Sequence, residues 1–197
     1  MMGRRIRGAA VFLDRDGTLI RDVGYLRRTD QIEILPRVPA ALRLLRDQGF
    51  KIVVVTNQSA VARGWMSEED LAAIHDTLAA QLAQSGASLD AIYYCPHHPV
   101  EGKGIYQQVC ACRKPNSGMI ERACDDLGLN PAASYVVGDQ KTDIELAKRI
   151  GATALLIGAS APPLASQNSE GPSVVDLWQA TQWILEHSKQ AAGVEES

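Results

Sequence analysis

Short apolar runs alternate along this chain with segments whose apolar residues recur at helical spacing. Ala9-Ala10-Val11-Phe12-Leu13 is a continuous apolar run, bulky enough for a buried strand. From Val38 to Gln48, Ala41, Leu42, Leu44 and Leu45 fall on one helical face, and Gly49 supplies a stop. Lys51 to Thr56 is the clearest strand. Ser67 can cap a helix with Glu68, Glu69 and Asp70 in its first turn, running to about Gln84. Leu89 to Cys95 predicts a further strand. Met119 to Leu127 predicts a helix stopped by Gly128, Ser134 to Gly138 a strand, Asp143 to Ile150 a helix stopped by Gly151, and Thr153 to Ile157 a strand. The segment Gly158 to Pro172, rich in Ala, Ser and Pro, predicts a loop. Val174-Val175 follows as an edge strand, and Leu177 to Lys189 as a closing helix carrying Trp178 and Trp183.

Strands alternating with helices imply an α/β fold: a doubly wound, mainly parallel sheet with helices on both faces, Rossmann-like in outline. The units follow one another with modest loops, which leaves no room for a large cap domain. The expected organisation is a single domain over residues 1–190 with a loop inserted at 95–112, and a frayed tail over 191–197. Ligands of such sheets sit outside the carboxyl ends of the strands, so the informative residues are those that follow each strand.

Four stretches occupy those positions. Asp14-Arg15-Asp16-Gly17-Thr18 follows the first strand, Thr56-Asn57-Gln58-Ser59 the second, and Asp139-Gln140-Lys141-Thr142-Asp143 the strand ending at Gly138, while Arg113-Lys114-Pro115 closes the inserted loop. An Asp at a strand end is a common turn residue, and a lone Lys is usually a solvated surface group. Three acids, a hydroxyl and a cation in this order, each just past a strand, instead suit phosphoryl transfer. That chemistry needs a carboxylate nucleophile, carboxylates that hold a divalent cation, and donors for the phosphoryl oxygens. The i, i+2 spacing of Asp14 and Asp16 lets both carboxylates reach one pocket while Gly17 turns the chain away.

Composition narrows the setting. Of 197 residues, 46% are hydrophobic and 22% charged, which excludes disordered and fibrous classes. A net charge of −3 gives no footprint for nucleic acid. No apolar run approaches the ~20 residues of a membrane span. The N-terminus is basic, but the apolar stretch behind it ends at Asp14, too short for a signal peptide. A cytoplasmic, monomeric protein without nucleic-acid or membrane partners is expected. In a reducing compartment, Cys95, Cys110 and Cys112 with His97 or His98 point to metal rather than to disulfides, while Cys124 falls on the apolar side of a helix. Four soft or borderline ligands with no open position describe a structural Zn²⁺ site.

These motifs resemble the four of the haloacid dehalogenase-like phosphohydrolases, over residues 8 to 157. The resemblance implies that Asp14 attacks phosphorus and that Asp16 serves as acid, then base. It places Mg²⁺ on the Asp14 carboxylate, the Asp16 carbonyl and Asp139, and phosphoryl oxygens on Thr56 and Lys114. Asp143 is left to position either Mg²⁺, through a water, or Lys114. Within the family, Asp22-Val23-Gly24-Tyr25, Thr56-Asn57-Gln58-Ser59, Ala62-Arg63-Gly64 and the loop from Cys95 to Pro115 resemble a branch acting on a small phosphorylated sugar, with a histidinol-phosphate branch as the alternative. Asp22, Val23, Gly24, Tyr25, Asn57, Gln58, Ser59, Arg63, Arg113, Lys114 and Gln140 would then face substrate. The ligands Cys95, His97, Cys110 and Cys112 would hold the zinc, His97 being favoured over His98. Two departures stand out: Ala60 replaces a usual Gly, and Gln140 a usual Lys, with Lys141 one position later. A receiver-type signalling domain, which also joins acids, a Thr and a Lys, carries its acid pair and phosphoacceptor on different strands. A pure zinc-binding module would leave Asp14, Asp16 and Asp139 without a purpose.

Overall fold

The computed structural model describes residues 8–158 and 172–193. Most of the expected Gly158 to Pro172 loop and residues 194–197 lie outside them. Six strands form one sheet: β1 (Ala10–Leu13), β2 (Lys51–Asn57), β3 (Ala91–Cys95), β4 (Tyr135–Gly138), β5 (Thr153–Ile157) and β6 (Ser173–Val174). Their spatial order is β3-β2-β1-β4-β5-β6, and every pairing is parallel. The helices are α1 (Val38–Asp47), α2 (Ser59–Ala62), α3 (Glu68–Gln84), α4 (Gly118–Leu127), α5 (Lys141–Ile150) and α6 (Leu177–Gly193).

Each central strand is apolar on both faces, as a sheet covered on both sides requires. Along β1, Val11 and Leu13 enter one core while Ala10 and Phe12 enter the other; Ile52 and Val54 of β2 alternate with Val53 and Val55 in the same way. The first core is closed by α1, α3 and α6 through Leu42, Leu45, Leu71, Leu78, Leu82 and Ile184. The second is closed by α4 and α5 through Met119, Ile120, Ile144 and Ala147. The strand order reverses direction at β1 and β4, which open the crevice where such sheets bind ligands.

The departures from the sequence reading are local. The four-residue α2 and the 3-10 turns at Thr29–Gln31, Gly104–Tyr106 and Pro131–Ala133 are too short to show a period. Helix α5 begins at Lys141, two residues early, because the Asp143 carboxylate accepts the Gln140 amide (3.1 Å) and closes its first turn. The edge strand is Ser173–Val174, one residue early, set by its register against Leu156 and Ile157. Helix α6 is assigned as far as Gly193.

Helix α3 starts as its sequence dictates. Ser67 Oγ accepts the Asp70 amide (3.1 Å) and Asp70 accepts the Ser67 amide (2.9 Å), a reciprocal cap reinforced by three acids at the positive helix end. Replacing Ser67 with Ala is expected to lower stability by about 1 kcal/mol, read as a shifted denaturation midpoint with an unchanged slope.

Candidate active site

The crevice is lined by residues that directly follow β1, β2 and β4. Hydrogen bonding of the Asp14 amide to the Val137 carbonyl (3.0 Å) extends the β1–β4 ladder by one residue and fixes where Asp14 stands. Lys114, only 4% exposed, reaches in from the end of the inserted loop; its Nζ lies 3.0 Å from Asp14 Oδ1 and 2.7 Å from Asp143 Oδ1. Burial alone would lower the Lys114 pKa, but the two carboxylates outweigh it and hold the ammonium charged. Asp143 thus bonds Lys114 directly.

Lys114 is also fixed through its backbone. The Asn57 side chain accepts the Lys114 amide (3.0 Å) and donates to its carbonyl (3.2 Å), tying the loop to the end of β2. Asp139 closes the other side. Burial, then the charge of Asp14, pushes its pKa up to about 6. Its buried Oδ1 has no hydrogen-bond partner. One carboxylate oxygen from each of Asp14, Asp139 and Asp143 lies within 4.8 Å of the others. A crowd of hard oxygen donors that includes an orphaned buried oxygen fits a divalent cation such as Mg²⁺. Gly17, at φ 73°, has no alternative here, because a Cβ would stand 2.3 Å from Asp139 Oδ2.

Asp16 is held from beneath by Arg15, which the sequence reading did not single out, and by Gln58, which it expected to face substrate. Arg15, 1% exposed, grips both Asp16 oxygens through Nη2 (2.8 and 3.1 Å), and its Nη2 also donates to Gln58 Oε1 (2.8 Å). Gln58 Nε2 donates to Asp16 Oδ2 (3.0 Å) and to Thr56 Oγ1 (2.8 Å), so this side chain braces the site internally. On the far side Arg15 Nη1 meets His75 Nε2 at 3.3 Å. Two signals were available. A residue between two site-facing acids points to the opposite face, and His75 interrupts the Leu71, Ile74, Leu78, Leu82 stripe of α3.

The other expected site residues separate by position. Asp22 Oδ1 accepts the Gly24 amide (2.7 Å), shaping the 22–25 turn, whose Val23 and Tyr25 are exposed. Arg113 donates from Nη1 to Ser59 Oγ (3.1 Å) and to the His97 carbonyl (2.9 Å). Arg63 pairs with Glu101. Gln140 donates to Asp139 Oδ2 (3.1 Å). Ala60 fits within α2, and Lys141 stands exposed beside Glu145.

Behind Arg113 the inserted loop gathers Cys95, His97, Cys110 and Cys112, with their ligand atoms within 4.8 Å of one another. The sulfurs approach to 3.1–3.5 Å, and His97 Nδ1 lies 3.3 Å from Cys112 Sγ. Three sulfurs and a ring nitrogen this close fit a tetrahedral Zn²⁺. His98 is turned away, accepting the Val100 and Glu101 amides. Cys124 is half-buried against the second core. The hydroxyls of Tyr94 on β3 and Tyr106 in the loop both donate to Glu68 (2.7 and 2.8 Å), fastening strand and loop to the start of α3.

Comparison with known proteins gives a consistent picture. The family model described as HAD-hydrolase-like matches residues 111–179. A D-glycero-beta-D-manno-heptose-1,7-bisphosphate 7-phosphatase from Haemophilus ducreyi is 48% identical, over 72% of this chain and 78% of that protein. Its counterpart from Yersinia pestis is 40% identical over 89% of each chain. The crystal structure of a D,D-heptose 1,7-bisphosphate phosphatase from B. bronchiseptica, complexed with magnesium and phosphate, superposes with a TM-score of 0.76. It is 29% identical and covers 91% of this chain and 99% of that one. With an Asp-x-Asp-Gly-Thr turn at the switch point of such a sheet, the molecule is a phosphatase of the haloacid dehalogenase-like class, hydrolysing phosphate monoesters. Within that class the chain belongs to the D-glycero-beta-D-manno-heptose-1,7-bisphosphate 7-phosphatase family. Among the described residues, no helix is long and apolar enough to cross a membrane.

The buried Arg15–His75 contact has a consequence for stability. Burial, with the Arg15 charge beside it, lowers the His75 pKa from 6.5 to about 3. The unfolded chain therefore binds a proton in this range that the folded one refuses. Stability is unaffected above about pH 6.5 and falls as pH drops from there towards 3, by on the order of a few kcal/mol. A denaturation series against pH should show this acid limb in the wild type and a flatter one in His75→Gln.

Proposed function

We propose that this chain removes the 7-phosphate of D-glycero-D-manno-heptose 1,7-bisphosphate through an aspartyl-phosphate intermediate, a step towards nucleotide-activated heptose. The observation that carries the mechanism is the buried Asp14 at the end of β1, with the Lys114 ammonium 3.0 Å from its carboxylate and an Asp139 oxygen within 4.8 Å of it. The heptose substrate is supported by the relatives named above.

An Asp14 oxygen attacks phosphorus as the bond to the sugar oxygen breaks. Asp16 protonates the departing alkoxide, and then takes a proton from the water that cleaves the acyl phosphate, releasing inorganic phosphate and regenerating Asp14. In the arrangement described, both Asp16 oxygens accept hydrogen bonds, which is the base form; the acid half needs that carboxyl to turn from Arg15 towards the leaving oxygen. Lys114 and Thr56 hold phosphoryl oxygens, and Asp143 keeps Lys114 in place. The carboxylates of Asp14 and Asp139 and the Asp16 carbonyl would hold Mg²⁺, which when bound neutralises charge on the phosphoryl group. The loop bearing Cys95, His97, Cys110 and Cys112 would hold Zn²⁺ as a structural ion, fixing Arg113 and Lys114, which directly follow Cys112. Arg113, Arg63, Asn57, Gln58, Ser59, Gln140 and the 22–25 turn then frame the substrate or the residues that touch it. A planar guanidinium suits the second phosphate of a bisphosphate and opposes the cationic amine of histidinol phosphate.

Asp14→Asn is expected to abolish phosphate release while leaving the circular dichroism spectrum and the zinc content intact; Asp16→Asn should lose ~10²–10⁴-fold. For the wild type, kcat/KM for the heptose bisphosphate should exceed that for histidinol phosphate at least ~10-fold, about 1.4 kcal/mol. Equal or reversed preference in side-by-side kinetics would assign the substrate to the histidinol-phosphate branch.

Metal analysis of the purified wild type should find about one tightly held zinc per chain and exchangeable magnesium. Cys110→Ser should lose the zinc and part of the stability. A zinc-free wild type of normal thermal stability would refute the structural role.

A further inference from the structure

Two residues after α2, the segment that begins at the crevice, the chain does something the mechanism does not use. The Gly64 amide bonds the Val61 carbonyl (2.8 Å) and the Trp65 amide bonds the Ala60 carbonyl (2.9 Å), with Gly64 at φ 71°. This left-handed turn brings the Trp65 ring edge to face against Tyr25, at 4.6 Å between centroids. Tyr25 lines the small cleft that also contains Asp16 and Asn57. The two rings are 40% and 44% exposed, so neither is spent on the core.

The pair is held stiffly all the same. The Arg63 guanidinium lies 5.2 Å from the Tyr25 centroid and 5.0 Å from that of Trp65, and is itself tied to Glu101 of the inserted loop. Arg27 stands over Trp65 at 5.9 Å from the other side of the 22–25 turn in sequence. Two exposed rings fixed by cations and an ion pair form a preorganised apolar wall beside an otherwise polar cleft. The part of a substrate that suits such a wall is the carbon–hydrogen face of a sugar ring, with its anionic substituents near the guanidinium groups.

We propose that Trp65 is a specificity-determining residue, packing against the sugar ring and supplying binding to the non-reacting part of the substrate. The inference rests on the sugar-phosphate reading given above. Contact remote from phosphorus that is the same in ground and transition states acts on KM rather than on kcat. The paired cations also account for Arg63 being occupied by Glu101 and two rings: it acts as the support of this wall.

The test compares the wild type, Trp65→Ala and Trp65→Phe on heptose 1,7-bisphosphate and on the ringless ester glycerol 3-phosphate. Trp65→Ala should raise KM for the bisphosphate at least 5-fold with kcat changed less than 2-fold, and Trp65→Phe should recover most of that loss. The effect on glycerol 3-phosphate should be clearly smaller. A second readout needs no turnover: the bisphosphate should quench tryptophan fluorescence of the Asp14→Asn protein, and the quench should vanish in Asp14→Asn/Trp65→Phe, which keeps Trp178 and Trp183. Unchanged KM in Trp65→Ala, an equal loss on both esters, or a quench that persists without Trp65 would overturn the inference while leaving the phosphatase reading intact. No wild-type turnover of the bisphosphate would overturn the substrate reading and this inference together, and is distinguished by the wild-type arm alone.

Discussion

The site depends on one buried cation. Lys114 brings a full positive charge into a position with almost no water, which is tolerable only because Asp14 and Asp143 lie within 3.0 Å of its ammonium. The dependence is mutual. Without Lys114, Asp14, Asp139 and Asp143 would be three carboxylates crowded into one crevice with no counter-charge from the protein. The ammonium therefore sets the geometry of the acids, and the acids keep the ammonium charged. Asn57, gripping both backbone groups of Lys114, makes this electrostatic arrangement a property of β2 and not of a wandering loop.

A second layer has a different character. Arg15, Gln58, Thr56 and His75 form a buried polar chain beneath Asp16 in which most partners are neutral. Within it the Arg15 guanidinium offsets the Asp16 carboxylate, and the neutral partners orient both side chains. It also shows how the motif tolerates a large cation between its two acids: the buried Arg15 guanidinium is shared between the Asp16 carboxylate, Gln58 and His75 of α3.

Much of this was legible in the sequence, for physical reasons. Buried parallel strands must be apolar on both faces, so Lys51 to Thr56 and Thr153 to Ile157 announced themselves, and the alternation with helices fixed the sheet's character. The acids at the strand ends were legible because ligand position follows from topology. What was not legible depends on contacts between segments distant in sequence. Nothing local to Arg63 shows that Glu101 meets it, or that Trp65 folds back on Tyr25. Glu68 reads as an ordinary acid in a helix's first turn, yet it receives the hydroxyls of Tyr94 from β3 and Tyr106 from the inserted loop. One-turn elements such as α2 have no periodicity to detect.

The anchoring of the inserted loop has an evolutionary consequence. Its links run to other rim segments, through Glu101 to Arg63 and through Tyr106 to Glu68, while the acids are held by the sheet and by Lys114. The loop thus meets the floor through Lys114, whose backbone Asn57 pins to β2, while its other links brace the entrance. Mutations that exchange one phosphorylated metabolite for another can accumulate around the entrance without disturbing the acids below. A lineage built this way can diversify its substrates by drift at its lip while its chemistry stays unaltered.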